Sequence, residues 1–222
     1  SLLILCAGFG KRMLELTTNT PKPLLKFNKK ILLNNTINFF KSIGCNEFFI
    51  NTHYLNAEIE KYVNKNFSDT NISLIYEPSI LGTGGGIKNV FNYTDNKKIC
   101  VVNSDIFWKS ENKIDINNFL KDFNEINHCK ILLSKNDNFY GLKKTIGDFN
   151  IKNDNISYWI EGNELNFYSG FQIVSKNIFK NTNKNFSMND IWKNLINAQS
   201  LRGAVMNSNL FHIGDKNSID IL

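Results

Sequence analysis

Apolar and polar positions alternate along this chain in two distinct rhythms. Residues 2–6 (LLILC) form an unbroken apolar run, and similar runs recur at 47–51 (EFFIN), 72–76 and 99–103 (ICVVN). Each has the length of a strand and lacks the every-second-residue polarity of a half-exposed one, which predicts strands buried on both faces. Between these runs the spacing becomes helical. In 34–43 (NNTINFFKSI) Ile37, Phe40 and Ile43 share one face, with Gly44 as the stop, and in 57–66 Ile59, Tyr62 and Val63 do the same. A glycine-rich loop and a short helix near 87–91 separate the third and fourth runs. Strands alternating with helices predict crossover units and helices on both faces of a sheet.

The pattern changes after a further apolar run at 130–134. Residues 147–151, 156–160 and 166–174 look like strands joined by polar turns. A helix is expected over 188–198, with Ser187 as its cap and Ile191, Leu195 and Ala198 on one face. Strands at 201–206 and 210–213 follow. No linker and no internal repeat is visible, so 1–222 is expected to be one α/β domain. The expected architecture is a Rossmann-like three-layer α/β/α sandwich on a mixed, mainly parallel central sheet. The second half should extend that sheet and wall in its C-terminal edge, where open α/β sheets bind ligands.

Composition narrows the choice of partners. With 222 residues, 42% of them hydrophobic and 21% charged, the chain can bury one sizeable core. No apolar run approaches the roughly 20 residues of a membrane helix, and 2–6 is too short for a signal peptide. Cys6, Cys45, Cys100 and Cys129 are far apart and form no C-x-x-C pair. They read as thiols of a reducing cytoplasm, without a disulfide frame or a zinc site. The net charge of +6 comes from lysines scattered among asparagines. With no dense basic run interleaved with aromatics, nucleic acid is not the expected partner; anionic small molecules suit the same charge.

The candidate chemistry begins where the first strand ends, at LLILCAGFGKRM (residues 2–13). Two glycines followed by Lys11 and Arg12 suggest a phosphate turn. A P-loop requires G-x-x-x-x-G-K-[S/T]; here Arg12 follows Lys11 and no glycine stands at the earlier position. A dinucleotide fingerprint requires a third glycine where Met13 stands, and its second strand should end in an acidic residue rather than Asn51-Thr52. Both fail. Nearby, Pro21 and Pro23 frame Lys22, fixing the backbone that carries one ammonium. The loop LGTGGG (81–86) is bare enough for a planar ring to lie on its backbone. VNSD (102–105) ends an apolar strand in Asp105, a natural Mg2+ ligand.

Together these stretches resemble the sugar-1-phosphate nucleotidyltransferases, whose signature is L-x-A-G-x-G-x-R, a P-K-P/L element, a glycine-rich base loop and a strand-end Asp. Here they read LCAGFGKR, TPKPLLKF, LGTGGGI and VVNSD. NTHYL (51–55), GDF (147–149), YSGFQIVSKNIF (168–179) and FHIGDKNSI (211–219) extend the likeness over nearly the whole chain, most closely to a short bacterial branch with uridylyl and guanylyl members. The resemblance implies the nucleotide-diphospho-sugar transferase fold, with a nucleotide-binding half (1–110) and a sugar-binding half (111–222). It implies a cytoplasmic monomer or small homo-oligomer that uses NTP, a sugar 1-phosphate and Mg2+. Cys6, Ala7, Gly8, Gly10, Lys11 and Arg12 would hold the triphosphate, and Glu77, Gly82 and Thr83 the base. Gly147, Tyr168, Ser169 and Gly170 would face the sugar. Arg12, Lys22 and Asp105 would be catalytic, with Asp105 on the metal.

One position departs from the pattern. Many members carry W-x-D-[IV]-G-T near the C-terminus, with the Asp a second metal ligand; here His212 stands at that Asp and Asp215 at the Thr. Neutral imidazole is a poorer Mg2+ ligand than carboxylate, which leaves the second ligand open between His212 and Asp215. It also motivates a rival reading, a regulatory module that binds nucleotide or sugar phosphate with little turnover. A nicotinamide-dependent oxidoreductase is the third reading, weakened by the missing glycine. His53 reads as a structural hydrogen-bonding residue, and Trp108, Trp159 and Trp192 as packing.

Overall fold

The computed structural model describes residues 1–121, 123, 128–142 and 144–221. The first apolar run is strand β1 (Leu2–Leu5). Beyond its glycine turn the chain makes a 3-10 stretch over Lys11–Thr17, broken at Leu14 (φ 52°), and another over Lys22–Leu24. A minimal hairpin, β2 (Lys26–Phe27) and β3 (Lys30–Ile31), leads into helix α1 (Leu32–Lys41). The alternation continues through β4 (Phe48–Thr52), α2 (Asn56–Asn66), β5 (Ile72–Tyr76), α3 (Gly82–Val90) and β6 (Lys98–Asn103). The four long strands pair in parallel in the order β6-β1-β4-β5, with Leu3 between Val101 and Phe49.

The stretch expected to be a glycine-rich loop is instead the first half of α3. Glycine is a poor helix former, so local propensity points away from this outcome and tertiary packing decides it. A Cβ on Gly84 would overlap the Phe186 ring, and one on Gly85 the Lys184 carbonyl oxygen. The glycines let the helix lie directly on the 184–187 backbone, which also accepts hydrogen bonds from Gly84 N–H (3.1 Å) and Gly85 N–H (3.2 Å) at the Phe186 carbonyl.

The second region comprises β7 (Ile106–Phe107), α4 (Asn112–Lys121), β8 (Cys129–Lys135), β9 (Phe139–Tyr140), β10 (Phe149–Lys152) and β11 (Asn155–Tyr158). It ends with β12 (Asn166–Ser175), α5 (Met188–Asn197), β13 (Arg202–Met206), β14 (Leu210–His212) and α6 (Lys216–Ile221). Strand β12 inserts antiparallel between β6 and β8. The result is one nine-stranded mixed sheet, β10-β11-β13-β8-β12-β6-β1-β4-β5, that runs through both halves of the chain. A separate small sheet, β7-β14-β9, brings three distant segments together beside it. Ser187 caps α5 as expected: its hydroxyl accepts from Asn189 N–H (3.2 Å), while Asp190 accepts from Ser187 N–H (3.1 Å).

Strand alternation sorts the core into two layers. Leu2 and Ile4 pack with Leu33, Ile37, Ile59, Val63, Ile116 and Phe119 of α1, α2 and α4. Leu3 packs on the other face with Ile87 and Val90 of α3 and with Met188, Ile191 and Trp192 of α5. A one-residue slip of β1 would exchange these faces, so burial on both sides fixes the register that aims the strand ends. The cysteines are free thiols, Cys6 and Cys129 buried, Cys45 and Cys100 half-buried. Among the described residues no helix is long and apolar enough to cross a membrane.

Candidate active site

Parallel strands release their chains along one edge of the sheet. The turn after β1, Asn51 in β4, Glu77 just beyond β5 and the Asn103-Ser104-Asp105 segment at the end of β6 therefore meet there. With Lys22, Ile80, Gly82 and Gly214 they line a cleft of about 590 Å³. Cys6, Ala7, Gly8, Gly10, Lys11, Arg12, Glu77, Gly82 and Thr83 all line this cleft, as do Lys22 and Asp105.

The turn is shaped by its own glycines. Gly10 has φ +66°, and its carbonyl accepts from Met13 N–H (2.8 Å) and the Thr17 hydroxyl (3.2 Å). A side chain there would be strained, and its Cβ would sit 3.0 Å from Thr17 Cγ2. Gly8 is different: the space a Cβ would occupy is open, so the backbone is bare toward the cleft. Cys6, 2% exposed, is no nucleophile in this setting: burial pushes its thiol up to about 12, against a hydrogen bond to Ser104 that lowers it.

Lys22 and Asp105 form the charged centre of the cleft. The proline-framed 3-10 turn is closed by Leu24 N–H to the Pro21 carbonyl (2.8 Å) and Leu25 N–H to the Lys22 carbonyl (3.0 Å). From it Lys22 Nζ reaches Asp105 Oδ2 at 2.6 Å and the Gly214 carbonyl at 3.4 Å. His212 Nε2 stands 3.4 Å from the same carboxylate oxygen. Burial alone would raise the Asp105 pKa, but the Lys22 charge and then His212 outweigh it and hold the carboxyl well below the usual range. Asp105 Oδ1 and His212 Nδ1 are buried and have no hydrogen-bond partner among the described residues.

The chain after β14 completes this arrangement. Ile213 N–H donates to the Asp105 carbonyl at 2.7 Å, docking the segment on the strand end. A Cβ on Gly214 would overlap the His212 ring, so that glycine gives the imidazole its place. Asp215 is otherwise engaged, its carboxylate accepting from Ser218 N–H (2.9 Å) at the start of α6. Of the two candidates for a second ligand, His212 is the one beside Asp105, and it is not itself part of the cleft lining.

The Glu77 side of the cleft is cross-linked below its surface. Glu77 is 1% exposed, with Oε1 accepting from Asn51 Nδ2 (2.7 Å) and Oε2 from Leu81 N–H (3.1 Å). Asn51 Oδ1 in turn accepts from Cys6 N–H (2.9 Å). His53 Nδ1 lies 2.7 Å from the Glu77 carbonyl, the structural hydrogen bond expected of it. The Thr83 hydroxyl accepts from Met188 N–H (2.9 Å).

None of the four residues assigned to the sugar is in the lining of this cleft, though Gly170 packs against Asn103, which is. A Cβ on Gly147 would overlap the Trp159 ring. Tyr168 meets Trp192 edge-on at 4.8 Å; its hydroxyl is buried and, among the described residues, has no partner within hydrogen-bond geometry, Gln172 being its polar neighbour. Ser169 is fully buried and accepts from Phe171 N–H (3.3 Å). Gly170 (φ +86°) gives room to Ile106 and Asn103. Trp108 stacks on Phe39 (5.2 Å), and none of the three tryptophans borders the cleft. The sequence reading passed over Asn51, Ser104 and Gly214 as site residues. All three lie within motifs quoted above, Gly214 in FHIGDKNSI, but none was given a role there.

This edge-of-sheet cleft, with its glycine turn, framed lysine and strand-end carboxylate, belongs to a known class. The chain is a member of the nucleotidyl transferase family, which it matches over residues 1–152. It is 30% identical over 135 residues to the D-glycero-alpha-D-manno-heptose 1-phosphate guanylyltransferase of Campylobacter jejuni, covering 61% of this chain and 58% of that one. To the N-acetylmuramate alpha-1-phosphate uridylyltransferase of Neisseria meningitidis it is 35% identical over 107 residues, 47% of this chain and 46% of the relative. The chain thus spans about half the length of the curated relatives it matches. In fold it is similar to HddC from Yersinia pseudotuberculosis complexed with GMP-PN (TM-score 0.80, 21% identity, 99% of this chain and 96% of that one). It is equally similar to the inositol-1-phosphate CTP transferase from T. maritima (TM-score 0.81, 14% identity, 98% and 90%).

Proposed function

We propose that the protein transfers a nucleotidyl group from an NTP to a sugar 1-phosphate, releasing pyrophosphate. The observation that carries this reading is the convergence of the glycine turn, Lys22 and Asp105 in one cleft, in a chain of this family. An oxygen of the sugar phosphate attacks the α-phosphorus in line. A P–O bond forms there, the bond to the bridging oxygen of the β-phosphate breaks, and pyrophosphate carries that electron pair away. Such transfer is mainly positioning and charge neutralisation.

The residues divide that work. Backbone N–H groups of the turn at 7–11 cradle the triphosphate, and Arg12 neutralises its leaving end. Lys22 meets the α-phosphate oxygens as charge builds on them. Among the described residues no group of three or more His, Cys, Asp or Glu side chains could hold a metal. The buried, unpartnered Oδ1 of Asp105 nevertheless fits Mg2+, which commonly takes one protein carboxylate and completes its shell with substrate phosphates and water. Bound there, Mg2+ would supply charge to both phosphates. The reading extends to guanylyl or uridylyl transfer, to precursors of a bacterial cell surface such as a UDP-N-acetylmuramic acid or GDP-mannose type product, and to a cytoplasmic monomer or small homo-oligomer.

The test is pyrophosphate release over a panel of the common NTPs with mannose, heptose and N-acetylmuramic acid 1-phosphates. Turnover with one pair and Mg2+ is the expected result. His212 beside Asp105 favours the second reading, a binding module of low turnover. Nucleotide binding with no pyrophosphate from any pair would establish that alternative instead.

A further inference from the structure

We propose that Asn51 and Glu77 form a strut that sets the distance between the two lips of the nucleotide site, acting as positioning residues rather than base contacts. The proposal rests on reading the cleft as a nucleotide site. Asn51 stands in β4 and Glu77 directly follows β5, neighbouring parallel strands in register. Three hydrogen bonds run in series: Cys6 N–H to Asn51 Oδ1 (2.9 Å), Asn51 Nδ2 to Glu77 Oε1 (2.7 Å), and Leu81 N–H to Glu77 Oε2 (3.1 Å). Cys6 opens the glycine turn and Leu81 immediately precedes α3, so the path joins the phosphate lip to the base lip.

The direction of each bond is determined. A backbone N–H only donates and a carboxylate only accepts, so the Asn51 amide can be oriented one way. Asn51 is 3% exposed and Glu77 1%, and a buried group that loses its partner is costly. The Glu77 backbone is also tied, its N–H to the Thr52 carbonyl (2.8 Å) and its carbonyl to His53 Nδ1 (2.7 Å). The helix makes way for the strut: a Cβ on Gly86 would lie 2.9 Å from both Asn51 Nδ2 and Glu77 Oε1. A base that bound Glu77 would have to compete with these partners.

The polarity of the strut can be reversed, which provides the test. Asn51→Asp alone sets two carboxylates against each other. Glu77→Gln alone offers one acceptor where Asn51 and Leu81 each need one. The double variant N51D/E77Q supplies an acceptor for Cys6 N–H, a donor–acceptor pair between the side chains, and an acceptor for Leu81 N–H, so all three bonds return. Two readouts are taken: NTP KM and kcat by pyrophosphate release, and amide hydrogen exchange at Cys6 and Leu81 in the free protein. Each single variant should raise NTP KM about tenfold with kcat little changed, and speed exchange at Leu81 or Cys6. The double variant should return KM to within about threefold of the parent and restore slow exchange.

A double variant no better than the worse single one overturns the strut, as does one that fails to fold, since every bond is retained in it. A change in the preferred base under Glu77→Gln that the second substitution does not reverse overturns it in favour of a base contact. Gly86→Ala should also raise KM and speed Leu81 exchange; normal values for both would count against the proposal. If the parent turns over no NTP, the function proposed above falls, and the exchange readout alone still decides the strut.

Discussion

The strands β6-β1-β4-β5 and the strands β8, β10, β11, β12 and β13 share one sheet but serve the cleft in different ways. In the first group every neighbour is parallel, so each strand ends at the same edge and its following loop reaches the cleft. In the second group most pairs are antiparallel, and turns fall alternately at both edges. Its side chains are spent largely on one another, as with Tyr168 on Trp192 and Gly147 under Trp159. The second region reaches the charged centre through the end of β14 and the segment after it, by way of His212 and Gly214. Parallel order thus builds a site from short local loops, whereas antiparallel order builds its support.

The sharpest way to break this contrast is at Lys22. On the proposed function Lys22→Ala should lower kcat at least ~100-fold, because its charge would then meet the α-phosphate chiefly in the transition state. Steady-state kinetics checks this; a rise in KM with unchanged kcat would make Lys22 a ground-state contact. The same variant removes the ammonium 2.6 Å from the buried Asp105 carboxylate, so melting temperature should fall as well.

The glycine run of α3 is the next place to press. Gly85→Ala should destabilise by about 1–3 kcal/mol through overlap with the Lys184 carbonyl, despite the ~1 kcal/mol that alanine gains in a helix. Urea unfolding measures it. Unchanged stability together with weakened nucleotide binding would mean that the glycines serve the ligand and not the helix contact.

Cys6 in the first region and Cys129 in the second are both buried, and burial pushes both thiols up, Cys6 to about 12. A raised pKa favours the protonated folded form. That stability is fully present below the unfolded value of 9.0 and is lost as pH rises toward the folded value, because the unfolded chain releases its protons first. Each thiol should contribute a decline of up to about 1.4 kcal/mol per pH unit above pH 9. Unfolding curves at pH 8 to 10.5 should flatten by that amount in Cys129→Ala; an unaltered slope would refute the account.

The smallest effect is expected at Tyr168. Its hydroxyl is buried without a hydrogen bond, while its polar neighbour Gln172 accepts from Trp192 Nε1 at 3.2 Å. Tyr168→Phe should shift stability by no more than ~1 kcal/mol, toward the more stable side, and leave KM for the sugar phosphate unchanged. A several-fold rise in that KM would return Tyr168 to the sugar site.

What could be read in the sequence follows the same division. The strands β1, β4, β5 and β6 are legible because burial on both faces leaves continuous apolar runs, and the helices α1, α2 and α5 because their spacing is regular. Helix α4 is obscure, its apolar Ile116 and Phe119 sparse among asparagines. Residues 81–86 mislead because glycine signals a loop locally, while the reason for glycine lies in a segment about a hundred residues away. Within the site, the turn at 6–12 and Asp105 follow closely on strand ends and Lys22 stands between two prolines, so all three can be found as motifs. The Asn51–Glu77 hydrogen bond joins residues 26 apart, and its meaning depends on a pairing of strands that no local pattern states.

The contact between Lys22 and the Gly214 carbonyl joins residues 192 apart in the chain. At ribosomal rates of about 5–20 residues per second, roughly 10–40 s pass between the synthesis of the two. During that interval the glycine turn, Lys22 and Asp105 can already be present in a nascent chain, while the segment that docks on Asp105 does not yet exist. Until it is made, Lys22 lacks the Gly214 carbonyl and the Asp105 carbonyl lacks the Ile213 N–H. One wall of the cleft is therefore supplied by the last tenth or so of the chain to be synthesised, and the cleft cannot be complete before it.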